Sequence, residues 1–315
     1  MNRFCWSLII LTVPLLLFGQ EKGTYDFLRL DMNARAAALN GSFVSMTDDP
    51  NLLFYNPAAL TSLEYPRASV SFLKHLLDVN AGAISYAQSY EDWGTFAAGI
   101  RFIDYGSFDR TDESMNVFGT FGARELSFSV GWGYVVEENL SAGAALEGIY
   151  SSIAGYRSAA AAGGLGVFYR IPSEMISVGA SLLHIGTQLN SYAETPEPLP
   201  LDLTVGITKR PEHLPVFLNL NFHKLNESHD SFLDRFTSFT VGAEFLMSES
   251  LRLRIGFDNE KKRELKLGTS AGLAGFSLGG GLLIGDYVFD YSFNSYGKIG
   301  ALHRISLGMA FGDFR

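Results

Sequence analysis

Six histidines and a single cysteine are the residues of this chain whose chemistry could support a catalytic or metal site. His223 and His229 flank the run KLNES, a separation that does not suit metal binding from one face of a helix. Cys5 lies beside the first apolar run, so the chain beyond it has no thiol for a nucleophile, a disulfide or a zinc site. No G-x-S-x-G run occurs, and no serine has a persuasive arrangement with a histidine and an acid. We therefore predict no catalytic residue, no metal site, no cofactor and no enzymatic activity.

Two histidines still need an explanation, because a lipase embedded in a membrane could carry a Ser/His pair on its lipid-facing side. His184 and His303 alternate onto apolar faces near the ends of predicted strands. We expect both imidazoles to lie at a membrane interface rather than in a catalytic site. The glycine-rich runs GGLGVF and GFSLGGGLLIG lie inside strand patterns, so they indicate close packing or bending of a sheet and not phosphate binding.

The elements that position these residues are β-strands, because from about residue 68 the dominant sequence period is two. In LSFSVGWGYVV (126–136) every second residue is apolar or aromatic, and the residues between are mostly Ser or Gly. The runs LRLRIGFD (251–258) and HRISLGMAF (303–311) repeat the pattern. Strict alternation gives each strand one apolar face and one polar face.

Alternation fits both a soluble β-sandwich and a membrane barrel. Three features favour the barrel. Aromatic residues crowd the apolar faces, whereas charges concentrate in the connections. The strands reach about ten residues, the length that crosses a bilayer at a barrel's tilt. Short connections (ED, EN, PSE, SE and GD) alternate with mostly longer ones at 104–123, 187–200, 226–235 and 259–272, a rhythm typical of outer-membrane barrels.

The predicted fold class is all-β: an antiparallel transmembrane β-barrel of about 14 strands with an N-terminal helical plug. The predicted strands cover residues 68–75, 79–90, 93–103, 124–137, 139–152, 159–171, 175–186, 201–209, 215–225, 236–247, 250–258, 273–285, 287–296 and 301–311. An even strand number places both chain termini at the rim with short turns. We assign residues 1–19 to a signal peptide, 20–66 to the plug and 67–315 to the barrel.

The first residues have the pattern of an export signal. MNRF carries one positive charge, SLIILTVPLLLFG is apolar, and Gly19 is a small residue suited to cleavage. Pro14 within so short a run argues against a transmembrane helix, with a retained N-terminal anchor as the alternative. The formal net charge of −9 leaves no basic surface for nucleic acid. We therefore expect an exported protein without a nucleic-acid partner.

The stretch DDPNLLFYNPAAL (48–60) predicts two short helical turns ahead of the first strand. Asp48 and Asp49 precede Pro50, which is an acceptor cap followed by a proline in the first turn. Asn56 and the following Pro57-Ala58 repeat this arrangement, and the proline prevents one continuous helix. The upstream run NARAAALNG (33–41) predicts an Ala-rich helix that ends at an Asn-Gly pair. Because the apolar residues of this segment must avoid water, we predict that it enters the barrel as a plug.

The polar strand faces then line the lumen and carry charges of both signs. The predicted lumen charges are Arg101, Glu125, Glu147, Arg170, Asp202, Glu244, Arg252, Arg254, Asp290 and Arg304. Mixed signs favour solvated or paired charges across the lumen, and a charge-selective conduction path is the alternative.

The run NARAAALNGSFVSMTDDPNLLFYNPAAL (33–60), with its Asn56-Pro57-Ala58 core, resembles the N-terminal signature of FadL-like outer-membrane barrels. Within them the chain is most similar to the PorV/PorQ family of type IX secretion. The stretch 194–225 and the compact length resemble PorQ more than PorV. The resemblance covers the whole chain beyond the signal and implies a fourteen-stranded barrel in the outer membrane of a Gram-negative bacterium, with long loops facing the exterior.

The resemblance implies a non-catalytic anchor. PorQ-like proteins hold a PorZ-like surface protein in the attachment complex, whose cargo is joined to lipopolysaccharide. The implied partners are therefore outer-membrane lipid, lipopolysaccharide, the PorZ-like protein and other components of that complex, although no motif identifies the partner-binding residues. The alternative function is a FadL-like transporter of hydrophobic compounds, which predicts a greasy pocket at the plug and a lateral gap in the wall.

Overall fold

The computed structural model describes residues 24–74, 79–193, 195–227, 232–265 and 272–312, so the predicted signal peptide lies outside the described residues. Fourteen antiparallel strands form a closed barrel, in which each strand pairs with its sequence neighbours and β1 pairs with β14. The predicted all-β barrel fold is therefore confirmed, including the strand number.

The strands follow the alternating segments of the sequence closely. They are β1 (Arg67–Lys74), β2 (Asn80–Tyr90), β3 (Gly94–Thr111), β4 (Val117–Glu137), β5 (Leu140–Ile153), β6 (Tyr156–Ile171), β7 (Ile176–Asn190), β8 (Asp202–Lys209), β9 (Val216–Phe222), β10 (Phe239–Leu246), β11 (Leu251–Asp258), β12 (Phe276–Ile284), β13 (Tyr287–Ser295) and β14 (Ala301–Ala310). Two short helices are α1 (Ala34–Ala38) and α2 (Asn259–Glu264). No helix in the described ranges is long and apolar enough to cross a membrane.

The prediction of a long loop over 104–123 is wrong, because these residues belong mostly to the β3–β4 hairpin. Both strands continue through most of this segment, and only 112–116 connect them. Phe108 stacks on Phe121 across the hairpin, with 5.3 Å between ring centroids. Cross-strand aromatic pairs of this kind stabilise the pairing of two strands. The register shift between Asp104 and Ser107 is the irregular point where the extended part of the hairpin begins.

The two faces of the barrel wall have opposite chemistry. Outward positions carry exposed apolar and aromatic side chains, such as Phe72, Phe128 and Trp132. Inward positions carry buried serine, asparagine and charged side chains, such as Ser127 and Ser129. In water this arrangement would leave most of the apolar surface exposed. In a bilayer the hydrocarbon covers the same surface and removes it from water.

The N-terminal segment, defined here as residues 24–66, is surrounded by the wall. Its helix α1 contacts β12, β13 and β14, and its two proline-initiated turns contact β1 to β6. Asn33 donates to Ser69 and Ser71 of β1, whereas Ser45 hydrogen-bonds Thr208 on the opposite part of the wall at 2.7 Å. Contacts on all sides of a closed sheet place this segment in the barrel interior.

Candidate functional site

The candidate site is the interface between the N-terminal segment and the inner wall. Its local structure follows from residues of the sequence that act as N-terminal caps of short helical turns. Asp49 accepts from the Asn51 backbone N–H and begins a 3₁₀ turn over Pro50–Phe54. Asn56 accepts from the Ala58 N–H and begins a second 3₁₀ turn over Pro57–Ser62. Both turns were expected as helical turns, and the structure shows them as the tighter 3₁₀ form.

The other predicted motif residues complete this geometry. The side chain of Asp48 lies half-exposed, 2.6 Å from the Arg67 guanidinium at the start of β1. Asn33 caps α1 by accepting from the Ala36 N–H, and the helix ends where Asn40 and Gly41 adopt positive φ angles of 51° and 73°. Glycine adopts this left-handed backbone freely, and asparagine adopts it more readily than most residues do. The Asn-Gly pair therefore ends the helix, as expected.

Asn56 joins three chain segments at once. Besides its cap, its amide nitrogen donates to the Val44 carbonyl at 2.9 Å and to the Val167 carbonyl of β6 at 3.1 Å. The Asn56 side chain is fully buried, so its amide group needs these protein partners in a place without bulk water. The asparagine of the Asn-Pro-Ala core therefore fastens the segment to the wall.

Glycines on the inner wall allow the segment to approach the strand backbone. A Cβ at Gly143 would lie 2.3 Å from the Ala58 nitrogen, and one at Gly179 would lie 2.2 Å from the Val44 carbonyl oxygen. Similar close approaches to the N-terminal segment occur at Gly99, Gly131, Gly133, Gly166, Gly206, Gly256 and Gly279. The wall and the segment thus fit each other at backbone distance, and side chains at these positions would exclude it.

A buried network of charges lies on the β10–β13 side. Glu244 receives two hydrogen bonds from Arg35 of α1, both at 3.0 Å, and one from Arg254 at 2.5 Å. Arg254 also donates to Asp290 at 2.5 Å, whereas Arg252 lies at the longer distance of 3.9 Å from Glu244. Buried charges are stable only when paired and hydrogen-bonded, so this network ties the segment to the wall.

Arg304, another predicted lumen charge, has one neutral partner in the segment and another on β13 of the wall. It donates to the Asp31 carbonyl oxygen at 2.5 Å and to the Asn294 amide oxygen at 2.6 Å. Arg170 lies exposed at the end of β6 and Asp202 lies at the start of β8, so neither joins the buried network.

A second network lies on the β3–β7 side. Arg101 donates to Glu147 at 2.6 Å and to the Leu28 carbonyl oxygen at 2.6 Å, and its guanidinium lies 4.7 Å from the ring centroid of Phe54. Glu147 also contacts the Nδ1 atom of His184 at 3.1 Å. Arg101 thereby links two strands of the wall to two parts of the N-terminal segment.

The inward position of His184 corrects the expected interfacial placement. His184 has a φ of 61° and is only 7% exposed, and a register shift between β6 and β7 spans Gly163 and Leu165. The irregular step turns the imidazole from the apolar face into the lumen. His303, in contrast, is exposed on the outer face, where its Nδ1 atom lies 2.7 Å from the Tyr291 hydroxyl.

Two cavities border the N-terminal segment. The outer cavity, about 250 Å³, lies toward the rim with long connections and is lined by Leu28, Leu30, Met32, Phe54, Leu183 and charged residues that include Lys224 and Glu260. The inner cavity, about 450 Å³, lies toward the rim with short turns and includes Asp48, Arg67, Arg252 and Asp286. Within the part of the chain that the structure describes, no group of three His, Asp or Glu side chains has a metal-binding arrangement.

A closed antiparallel barrel with an apolar outer face and a polar interior is the architecture of an outer-membrane barrel protein. Its fold is FadL-like, as three solved structures indicate. The toluene transporter TbuX of Ralstonia pickettii superposes with a TM-score of 0.59 at 14% identity, covering 89% of this chain and 98% of that one. The toluene transporter TodX of Pseudomonas putida gives 0.56 at 13% identity, covering 89% and 96% of the respective chains. A Pseudomonas aeruginosa FadL homologue gives 0.55 at 10% identity, covering 89% and 98%.

No protein-family model and no curated protein matches the chain.

Proposed function

We propose that the chain is an integral outer-membrane protein that passes small hydrophobic compounds across the outer membrane. The proposal is supported by the fold shared with TbuX and TodX, both of which are described as toluene transporters. At these identities the likeness concerns the fold, so the proposal needs support from the site itself. That support comes from the cavities beside Leu183 and His184.

The observation that carries the proposal is a cavity that meets an irregular place in the wall. The outer cavity and a smaller one of about 20 Å³ share Phe54, Arg101, Leu183 and His184. The smaller cavity also touches Gly163, where the β6–β7 ladder shifts register. A compound held beside Phe54 thus lies next to one of the two places where the β6–β7 ladder is irregular. An exit through that step would lead sideways into the bilayer.

The size and lining of the cavity limit the ligand. Sites for drug-sized ligands usually occupy about 300–1,000 Å³, and the outer cavity of about 250 Å³ suits a smaller molecule. Its lining combines apolar side chains of the segment, such as Leu28 and Phe54, with polar groups and with the paired charges of Lys224 and Glu260. A compact aromatic hydrocarbon such as toluene is the probe that we would use.

Passage through the interior requires the N-terminal segment to shift, because it fills the space between opposite walls. A disulfide between segment and wall tests this requirement. The Thr61 and Ser141 hydroxyl oxygens lie 2.8 Å apart, so Thr61→Cys with Ser141→Cys places two thiols in contact. Cys5→Ser removes the only native cysteine. Toluene uptake by cells that make this variant should fall several-fold when oxidised and recover after reduction.

A disulfide within the wall is the matched control. A Cβ at Gly308 of β14 would lie 3.6 Å from the Cβ of Val288, its partner on β13, so Val288→Cys with Gly308→Cys cross-links two strands of the wall without holding the segment. It should leave uptake unchanged. Equal uptake by all oxidised variants and by cells without the barrel would refute the transport proposal.

Docking of a surface protein is the second candidate, and the long β3–β4 hairpin favours it. This hairpin continues well past the strands that flank it, which transport through the interior does not require. In this proposal the barrel is a type IX secretion anchor that presents its long connections to a PorZ-like protein. Deletion of the gene should then release surface proteins into the medium. Unchanged attachment of surface proteins would remove this candidate and leave transport unaffected.

A further inference from the structure

The β3–β4 hairpin leaves the barrel wall near an exposed ion pair. Arg124 of β4 is an outward-facing side chain with 78% exposure, and it contacts Asp104 of β3 at 2.9 Å. Outward residues on the other side of this pair, from Leu126 to Trp132, are apolar. A charge on the lipid face is costly at the bilayer midplane and inexpensive near its surface, so this pair marks the end of the hydrocarbon band.

Beyond that pair the hairpin leaves the sheet of the wall, although Arg110 still donates to the Ala154 carbonyl oxygen at 3.3 Å. β5 pairs with β4 only as far as Ala123, although the Ala154 N–H still donates to the Gly122 carbonyl. From Gly122 to Val117, β3 is the only strand of the described chain that pairs with β4. Phe118 lies six residues past Arg124, or about 20 Å of extended strand. At a barrel tilt of about 45° that distance raises the tip about 14 Å above the band.

The tip presents apolar side chains on a turn that is already ordered. Met115, Val117 and Phe118 are 83%, 60% and 68% exposed. The Asp112 carboxylate accepts from the Asn116 side chain and from the backbone N–H groups of Asn116 and Ser114. These hydrogen bonds, led by that from the Asn116 side chain, lower the pKa of Asp112 below its ordinary value. Apolar anchors on an ordered turn lose little entropy on binding.

We infer that this tip, residues 107–122, docks into an apolar groove with a basic rim on an extracellular protein. The charges favour that occupant, because the tip carries the carboxylates Asp109, Asp112 and Glu113 and the single cation Arg110. An anionic lipid surface would repel it, whereas a groove edged by lysine or arginine attracts it. Phe118 and Met115 are the anchors, since large exposed apolar groups dominate such interfaces. This inference is independent of the transport proposal. It rests on the docking candidate, for which it supplies a binding surface, and it assumes that the long connections face the exterior.

Site-specific photocross-linking in intact cells tests the inference with the full chain. p-Benzoylphenylalanine replaces Phe118, and in separate strains it replaces Leu273 on the same rim or Trp93 on the opposite rim. We expect one protein adduct from position 118, to a partner that external protease degrades, and none from the two control positions. Asp109→Lys with Glu113→Lys should reduce that adduct at least tenfold, while the barrel keeps its heat-modifiable migration in gels.

Three results would overturn the inference: an adduct with lipopolysaccharide or lipid, no adduct at all, or a protein adduct that survives charge reversal. Phe118→Ala separates this inference from the transport proposal. It should weaken docking and leave toluene uptake unchanged, because the side chain lies far from the interior cavities.

Discussion

The backbone contact at Gly143 makes the fit between segment and wall testable with one methyl group. In Gly143→Ala the added Cβ would meet the Ala58 nitrogen at 2.3 Å, the Pro57 carbonyl carbon at 2.4 Å and the Ala58 Cα at 2.7 Å. Carbon atoms prefer separations of about 3.5–4.0 Å. The segment must therefore move by about 1 Å at the start of the Pro57–Ser62 turn.

Overpacking by one methylene in a well-packed interior costs about 1–3 kcal/mol. We expect the upper half of that range for Gly143→Ala, because the opposing atoms are backbone and cannot rotate away as a flexible side chain would. The refolded barrel should lose about 2–3 kcal/mol in urea unfolding followed by tryptophan fluorescence. If the strain instead releases the segment, limited proteolysis should cleave it while the barrel itself remains folded.

Gly148→Ala is the matched control on the same strand. Nothing lies within 4 Å of a Cβ at Gly148, which faces outward. Alanine in a strand interior is favoured over glycine by about 0.5–1 kcal/mol, so this variant should be neutral or slightly stabilised. Equal unfolding free energies and equal protease patterns for the two variants would refute the proposed close contact.

Three further substitutions test the buried charges, the Asn56 bridge and the membrane band. Glu244→Gln leaves two buried arginines without their shared carboxylate and should cost about 3–5 kcal/mol in urea unfolding, whereas Glu249→Gln at an exposed turn should cost nothing measurable. Asn56→Asp keeps the cap acceptor but loses the amide donor to two carbonyls and buries a carboxylate beside them, so a loss of at least about 1–3 kcal/mol should appear even though the turn stays capped. Phe128→Arg should reduce stability in lipid by about 2–4 kcal/mol, and Arg124→Leu should change it by under about 1 kcal/mol.

The strands were predictable because their periodicity is local. Alternate residues of a strand face opposite sides of the wall. Because the outer side faces lipid and the inner side faces polar groups, apolar and polar residues alternate along every strand. The caps at Asp49 and Asn56 were predictable for the same reason, since an acceptor followed by proline acts within three residues. Such signals need no knowledge of distant parts of the chain.

Long-range partners were not predictable from one sequence. Arg35 sits in an Ala-rich helix that carries no sign of Glu244, its partner 209 residues later. His184 departs from strict alternation because a positive φ and a register shift turn it inward. The β3–β4 extension was missed because Gly106 and the charges around Asp109 and Asp112 resemble those of a loop. Its aromatic pairing becomes visible only when the two strands are aligned.

The central claim is that hydrocarbon surrounds the barrel wall and that the N-terminal segment fills the barrel interior. Spin labelling along β4 tests this claim most directly. Labels at Leu126, Phe128 and Val130 in a liposome-reconstituted barrel should be relaxed by oxygen and protected from a water-soluble nickel chelate. Labels at the inward positions Ser127 and Ser129 should be protected from both, and removal of residues 24–66 should expose them to the chelate. Outward labels that the chelate reaches as readily as oxygen would contradict the account.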